Sequence, residues 1–215
     1  MLRNVISNDL FTILIVVGLI LIAVCKVLFA KRFQDFVLVL GNSKYLKIYS
    51  KDQKFFDVFD GLLFFNFVLA ISIFGFITYN HLTTELEISK LFLLKLTAII
   101  AILIVMKTLL ERLIGSVFEI DFLIDNYLFQ KISYKNFLGI ILMPLNAIII
   151  YGISVSNPII YSIWAVIVFV FIIGIITTVK TYQNLIKQNM FYFILYLCAL
   201  EIAPYIILYQ LAIKN

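Results

Sequence analysis

Six stretches of mostly apolar residues dominate this chain, each close to the roughly 20 residues a helix needs to cross about 30 Å of hydrocarbon. They run over 10–30, 58–79, 91–114, 136–156, 158–179 and 190–212. The expected fold is therefore all-α: a polytopic integral membrane protein with six transmembrane helices in a single membrane domain, 1–215. Composition agrees. Of 215 residues, 64% are hydrophobic and 13% charged, where a soluble domain carries about 25% charged residues. Too little polar residue remains to coat a water-soluble core, so lipid is the expected solvent. The period-two alternation of an outer-membrane barrel is absent. The first stretch is too long for a cleavable signal, and Lys31-Arg32 stands where small residues would mark a cleavage site.

Basic residues set the orientation. Lys31, Arg32, Lys44, Lys47, Lys51 and Lys54 lie between the first two spans, Arg112, Lys131 and Lys135 between the third and fourth, and Lys180 and Lys187 between the fifth and sixth. These eleven oppose three on the other side, Arg3, Lys90 and Lys214. The positive-inside rule then predicts a multi-pass protein of the bacterial inner (cytoplasmic) membrane with both termini periplasmic. The net charge of +5 reflects these loops and gives no reason to expect a nucleic-acid partner.

Two inner loops are more than linkers, and both are expected to form interfacial cytoplasmic segments. In the first, Lys44, Lys47, Lys51 and Lys54 recur at helical spacing beside Tyr45, Ile48, Phe55, Phe56 and Phe59. That pattern predicts a helix lying in the interface, ammonium groups toward anionic lipid and rings in the acyl boundary. In the second, Gly115–Lys135, Glu119, Asp121 and Asp125 alternate with aromatic residues. Acids beside an anionic leaflet are unfavourable unless they face water or a basic partner, so this segment is the candidate contact for another membrane protein. A solvated face on a short helix is the simpler account.

Ionisable groups within lipid cost about 2.5–3.5 kcal/mol each at mid-depth and need a reason. Lys26 and Lys95 stand near span ends and can snorkel. Glu201, at the middle of the sixth span, cannot. Pro204 follows it and leaves the Leu200 carbonyl without its helical donor. Pro144 does the same to Ile140 in the fourth span, beside Asn146. Asn66 lies near the middle of the second span, and Lys107 and Glu111 in the third are four apart on one face. Glu201, Asn146, Asn66, Lys107 and Glu111 are thus candidates for one intramembrane polar core. It would act either as interhelical hydrogen bonding or as a proton relay on Glu201.

The stretch Leu195-Tyr196-Leu197-Cys198-Ala199-Leu200-Glu201-Ile202-Ala203-Pro204, with Gly139-Ile140-Ile141-Leu142-Met143-Pro144, resembles a Bacteroidota family of short polytopic inner-membrane proteins catalogued as a domain of unknown function. The resemblance covers most of the chain. It implies an all-helical bundle in the inner membrane and no particular activity.

Three functions remain open. The expected one is a non-enzymatic subunit of a larger membrane complex, in protein export or envelope assembly. The second is a small proton-coupled transporter or channel using Glu201. The third, a membrane-embedded lipid enzyme, lacks support from any His-Glu-x-x-His, Gly-x-Ser-x-Gly or paired acidic motif. No cofactor or metal is expected: Cys25 and Cys198 sit within apolar runs, and His81 has no ligand companion nearby.

Overall fold

The computed structural model describes residues 9–41, 44–50, 57–83, 90–153 and 155–188. The sixth apolar stretch, with Glu201 and Pro204, lies outside the described residues, as do Lys51 and Lys54 of the basic loop.

The described residues form seven helices, α1 (Asp9–Leu28), α2 (Ala30–Val37), α3 (Lys44–Tyr49), α4 (Val58–Thr83), α5 (Lys90–Val117), α6 (Asp121–Tyr151) and α7 (Asn157–Gln188), and no strand. Five of them, α1, α4, α5, α6 and α7, are long and apolar enough to cross a membrane, which marks the chain as a membrane protein. Such helices satisfy their own backbone groups, which lipid cannot do.

The bundle is built around α4 and α6. These pack along each other, α1 and α5 lean on both, and α7 packs on α6. Over their most apolar 18 residues α4 and α6 are 61% and 56% buried, whereas α5 is 6% buried and forms an outer wall. Close approach of the central pair depends on Gly139. A Cβ there would lie 2.6 Å from the Phe67 Cα, so only a residue without one fits this crossing.

The helices alternate in direction. At one end Thr12 and Tyr151 share a 2.5 Å hydrogen bond, and His81 Nε2 and Asn157 Oδ1 another of 2.8 Å. These join the start of α1 to the end of α6, and the end of α4 to the start of α7. At the opposite end Arg32 reaches the start of α4, and Tyr45 stacks on Phe129 of α6 with ring centroids 5.8 Å apart. The two basic loops therefore sit at the same end, as the distribution of Lys and Arg requires.

Five sequence expectations need correction. The helix containing the fourth span starts at Asp121 rather than residue 136, so most of Gly115–Lys135 is not an interfacial segment but the first half of α6. A tight corner explains this. Glu119 adopts φ 57°, Ile120 N–H donates to the Gly115 carbonyl at 2.9 Å, and Glu119 N–H donates to Ser116 at 3.3 Å. That is a Schellman end with Glu in the position glycine usually fills, and it reverses the chain within three residues. Gly115 serves packing at this corner: a Cβ there would meet Ile124 at 2.9 Å.

The other corrections are smaller. Asn157-Pro158, which reads in the sequence as a tight turn between the fourth and fifth spans, opens α7 instead, and the proline costs no hydrogen bond at that position. α7 also continues to Gln188, through most of the predicted loop 180–189. Pro144 lies inside a continuous α6 and does not break it; buried Leu142, Met143 and Asn146 hold the flanking turns against the bundle.

The described residues of the first basic loop form two short helices, α2 and α3, packed on protein rather than one helix lying in lipid. Lys44 and Lys47 are exposed as expected, but Tyr45, Leu46 and Phe59 are fully buried in protein. Tyr45 and Phe59 both meet the Phe36 ring edge-on, with centroids 5.1 and 5.6 Å apart. The amphipathic pattern was real. Its apolar face closes the end of the bundle.

Candidate functional site

Charge gathers at the end of the bundle that carries α2, α3 and the α5–α6 corner. Arg32, at the start of α2, binds Asp57 and Asp60 at the entry to α4, with Nη2 2.8 Å from Asp60 Oδ2. Asp57 also caps α4, its Oδ1 accepting the Phe59 N–H at 3.1 Å. The guanidinium lies over the Phe59 ring, 4.6 Å from the centroid, and near Tyr49 at 5.0 Å. Burial alone would lower the affinity of Arg32 for its proton. Tyr45 and Asp60, with the hydrogen bond to Asp57, outweigh it and hold the pKa above the ordinary arginine value. Burial pushes the Tyr45 phenol up, and Asp60 adds to the effect. Arg32 therefore stays charged and Tyr45 neutral across the physiological range.

A planar fork suits this bridge, and an ammonium does not. Arg32→Lys is expected to retain one carboxylate and lose the other, destabilising the protein by about 1–2 kcal/mol. The readout is thermal unfolding in detergent followed by fluorescence of Trp164, whose ring packs 5.7 Å from Phe74. An unchanged melting point would show that the bridge adds nothing to stability.

The second ionic group lies between α5 and α6. Glu111, 1% exposed, accepts a 2.6 Å bond from Lys131 Nζ and stands 3.9 Å from Lys107. The Lys107–Glu111 pair expected from helical spacing exists, but Lys131 of the neighbouring helix is the closer partner. Lys131 had been counted only as an orienting loop charge.

The predicted polar core divides. Asn146 is fully buried and donates from Nδ2 to the Ala70 carbonyl at 2.8 Å, tying α6 to α4. Asn66, on α4, is also fully buried, and neither of its amide atoms has a hydrogen-bond partner among the described residues. Lys107 and Glu111 form the separate ionic group just described. Gln130, Ser133 and Asn136 on α6 are buried as well, and Asn136 donates to the Asp60 carbonyl at 3.2 Å. Gln130 and Ser133 precede the predicted start of the fourth span and Asn136 stands at it, so none of the three read as a mid-membrane polar group.

The three acids proposed as a partner contact also separate. Asp125 pairs with Arg112 at 3.6 Å, both half-exposed. Glu119 and Asp121 are exposed at the α5–α6 corner beside Val117 and Phe122. The two ion groups tie neighbouring elements together and act as fastenings. The corner presents its charges and its apolar surface outward.

A family model described as a domain of unknown function, DUF4271, matches residues 11–212. The chain belongs to the DUF4271 family. The matched range takes in all but the first two residues of the helices described above, and both sequence stretches on which the resemblance rested. No curated protein and no solved structure matches this DUF4271 chain.

Proposed function

We propose that the chain is a non-enzymatic accessory subunit of a larger assembly in the inner membrane of a bacterium of the Bacteroidota, serving protein export or envelope construction. In this reading it crosses the membrane six times with both termini in the periplasm. The distribution of basic residues and the alternating direction of the described helices support that arrangement. Lys44 and Lys47 then face anionic headgroups.

One observation carries the partner reading. At the α5–α6 corner Val117 and Phe122 are 69% and 72% exposed, next to exposed Glu119 and Asp121. Water disfavours the apolar groups, and an anionic leaflet disfavours the acids. A protein surface that is apolar at its centre and basic at its rim satisfies both.

A photo-crosslinking residue in place of Phe122, at native expression, is expected to give one discrete protein adduct. Charge reversal by Glu119→Lys with Asp121→Lys is expected to reduce that adduct at least roughly tenfold, since rim charges act on encounter and register. Adducts with lipid alone, unaffected by charge reversal, would remove the partner from this corner.

A further inference from the structure

Between α4, α5 and α6, at the end that carries the charged groups, lies a cavity of about 260 Å³. Each helix lines it in the same way. From α4 and its capping residue come Asp57, Gly61 and Phe64, four and then three residues apart and so on one face. From α5, running the other way, come Arg112, Leu109 and Val105. From α6 come Asp125, Leu128 and Ile132. A charge stands at the mouth on all three helices, and apolar side chains follow to a depth of about 10 Å, seven residues of helical rise.

Polarity that runs from charged to apolar along the depth of a membrane protein matches an amphiphile lying parallel to the helices. The volume is near the lower end of ligand pockets, which hold roughly 300–1,000 Å³. It suits a headgroup and the start of one chain. Val105 and Leu109 are 43% and 46% exposed, so the α5 wall opens sideways and a chain can continue into the surrounding lipid.

The mouth also selects a headgroup. Asp57 and Asp60 on α4 and Asp125 on α6 surround it, with Arg112 on α5. Arg32 binds the first two from outside the cavity wall. The Asp57 and Asp125 side chains keep 25% and 43% of their surface exposed, so carboxylate oxygens at the mouth can accept further hydrogen bonds. An N–H donor cation suits those oxygens, and the phosphate beside it suits Arg112. A purely anionic headgroup would face three carboxylates. A quaternary ammonium carries no N–H to give.

We propose that this cavity binds one membrane lipid with a primary ammonium beside its phosphate, the headgroup of phosphatidylethanolamine. The proposal rests on the membrane-spanning reading and is independent of the partner at the corner. Its test is also separate, because it needs only the purified chain.

Gly61 provides the decisive variant. A Cβ there meets nothing within 4 Å, so a larger side chain enters the cavity without displacing protein atoms. The full chain, delipidated in mild detergent, is offered equal amounts of phosphatidylethanolamine, phosphatidylcholine and phosphatidylglycerol and examined by native mass spectrometry. One phosphatidylethanolamine is expected to remain bound, at roughly tenfold excess over the other two. Gly61→Leu is expected to abolish retention with an unchanged melting point. Asp125→Asn, at the half-exposed rim, is expected to weaken it several-fold and decides the question if Gly61→Leu fails to fold. Equal retention of the three lipids, retention of none, or full retention by Asp125→Asn together with a folded Gly61→Leu overturns the proposal.

Discussion

Lys131→Met is expected to destabilise the protein by about 3–5 kcal/mol, the cost of leaving a buried charge without its partner. Glu111 is 1% exposed and its Oε2 has no hydrogen-bond partner among the described residues, so the 2.6 Å bond from Lys131 is its main compensation. Lys107, 3.9 Å away, remains as a weaker partner, but it stands on the same helix and cannot restore the tie between α5 and α6. The double variant Lys131→Met with Glu111→Leu removes both charges and is expected to recover most of the loss, since a buried pair contributes little over well-packed apolar residues. Thermal unfolding of the wild type, the single variants Lys131→Met and Glu111→Leu, and the double variant in one detergent gives the coupling directly. If the single and double variants lose the same stability, the pair is not a fastening between α5 and α6.

Gly139→Val is expected to cost about 3 kcal/mol or more, at or above the top of the usual range for overpacking. The added Cβ would lie 2.6 Å from the Phe67 Cα and 3.0 Å from its backbone nitrogen. No rotamer change relieves a collision with backbone, so α4 and α6 must move apart. Asn146 and the Ala70 carbonyl, 2.8 Å apart across the same interface, would separate with them. Gly75 is the control. A Cβ there meets only Leu96 at 3.9 Å, and Gly75→Ala is expected to stabilise the protein by up to about 1 kcal/mol through helix propensity. Loss of Trp164 fluorescence change on heating, or aggregation during purification, would mark Gly139→Val as unfolded. Equal melting points for the two variants would refute the close crossing.

These two glycines show why the site was only partly legible in the sequence. Both lie within apolar runs of a helix, and nothing local separates one that sets a helix crossing from one that faces an ordinary gap. Asp57 and Asp60 look like solvated charges at a span entry, and Arg32 like one of several loop cations. Only the return of α2 across the bundle end brings them together. Glu119, Asp121 and Asp125 read as one acidic segment. The Schellman corner divides them, leaving two outside and turning the third toward Arg112.

What the sequence determined by itself is what depends on summed local properties. Runs of apolar residues long enough for hydrocarbon marked the helices, and the described ends of α1, α4 and α5 fall within a few residues of expectation. The tertiary structure alone decided which polar groups meet, which glycine the fold cannot replace, and where α6 begins. Hydropathy is a sum over neighbours in the chain. An ion pair or a helix crossing joins residues far apart in it, and their partners exist only once the helices have packed.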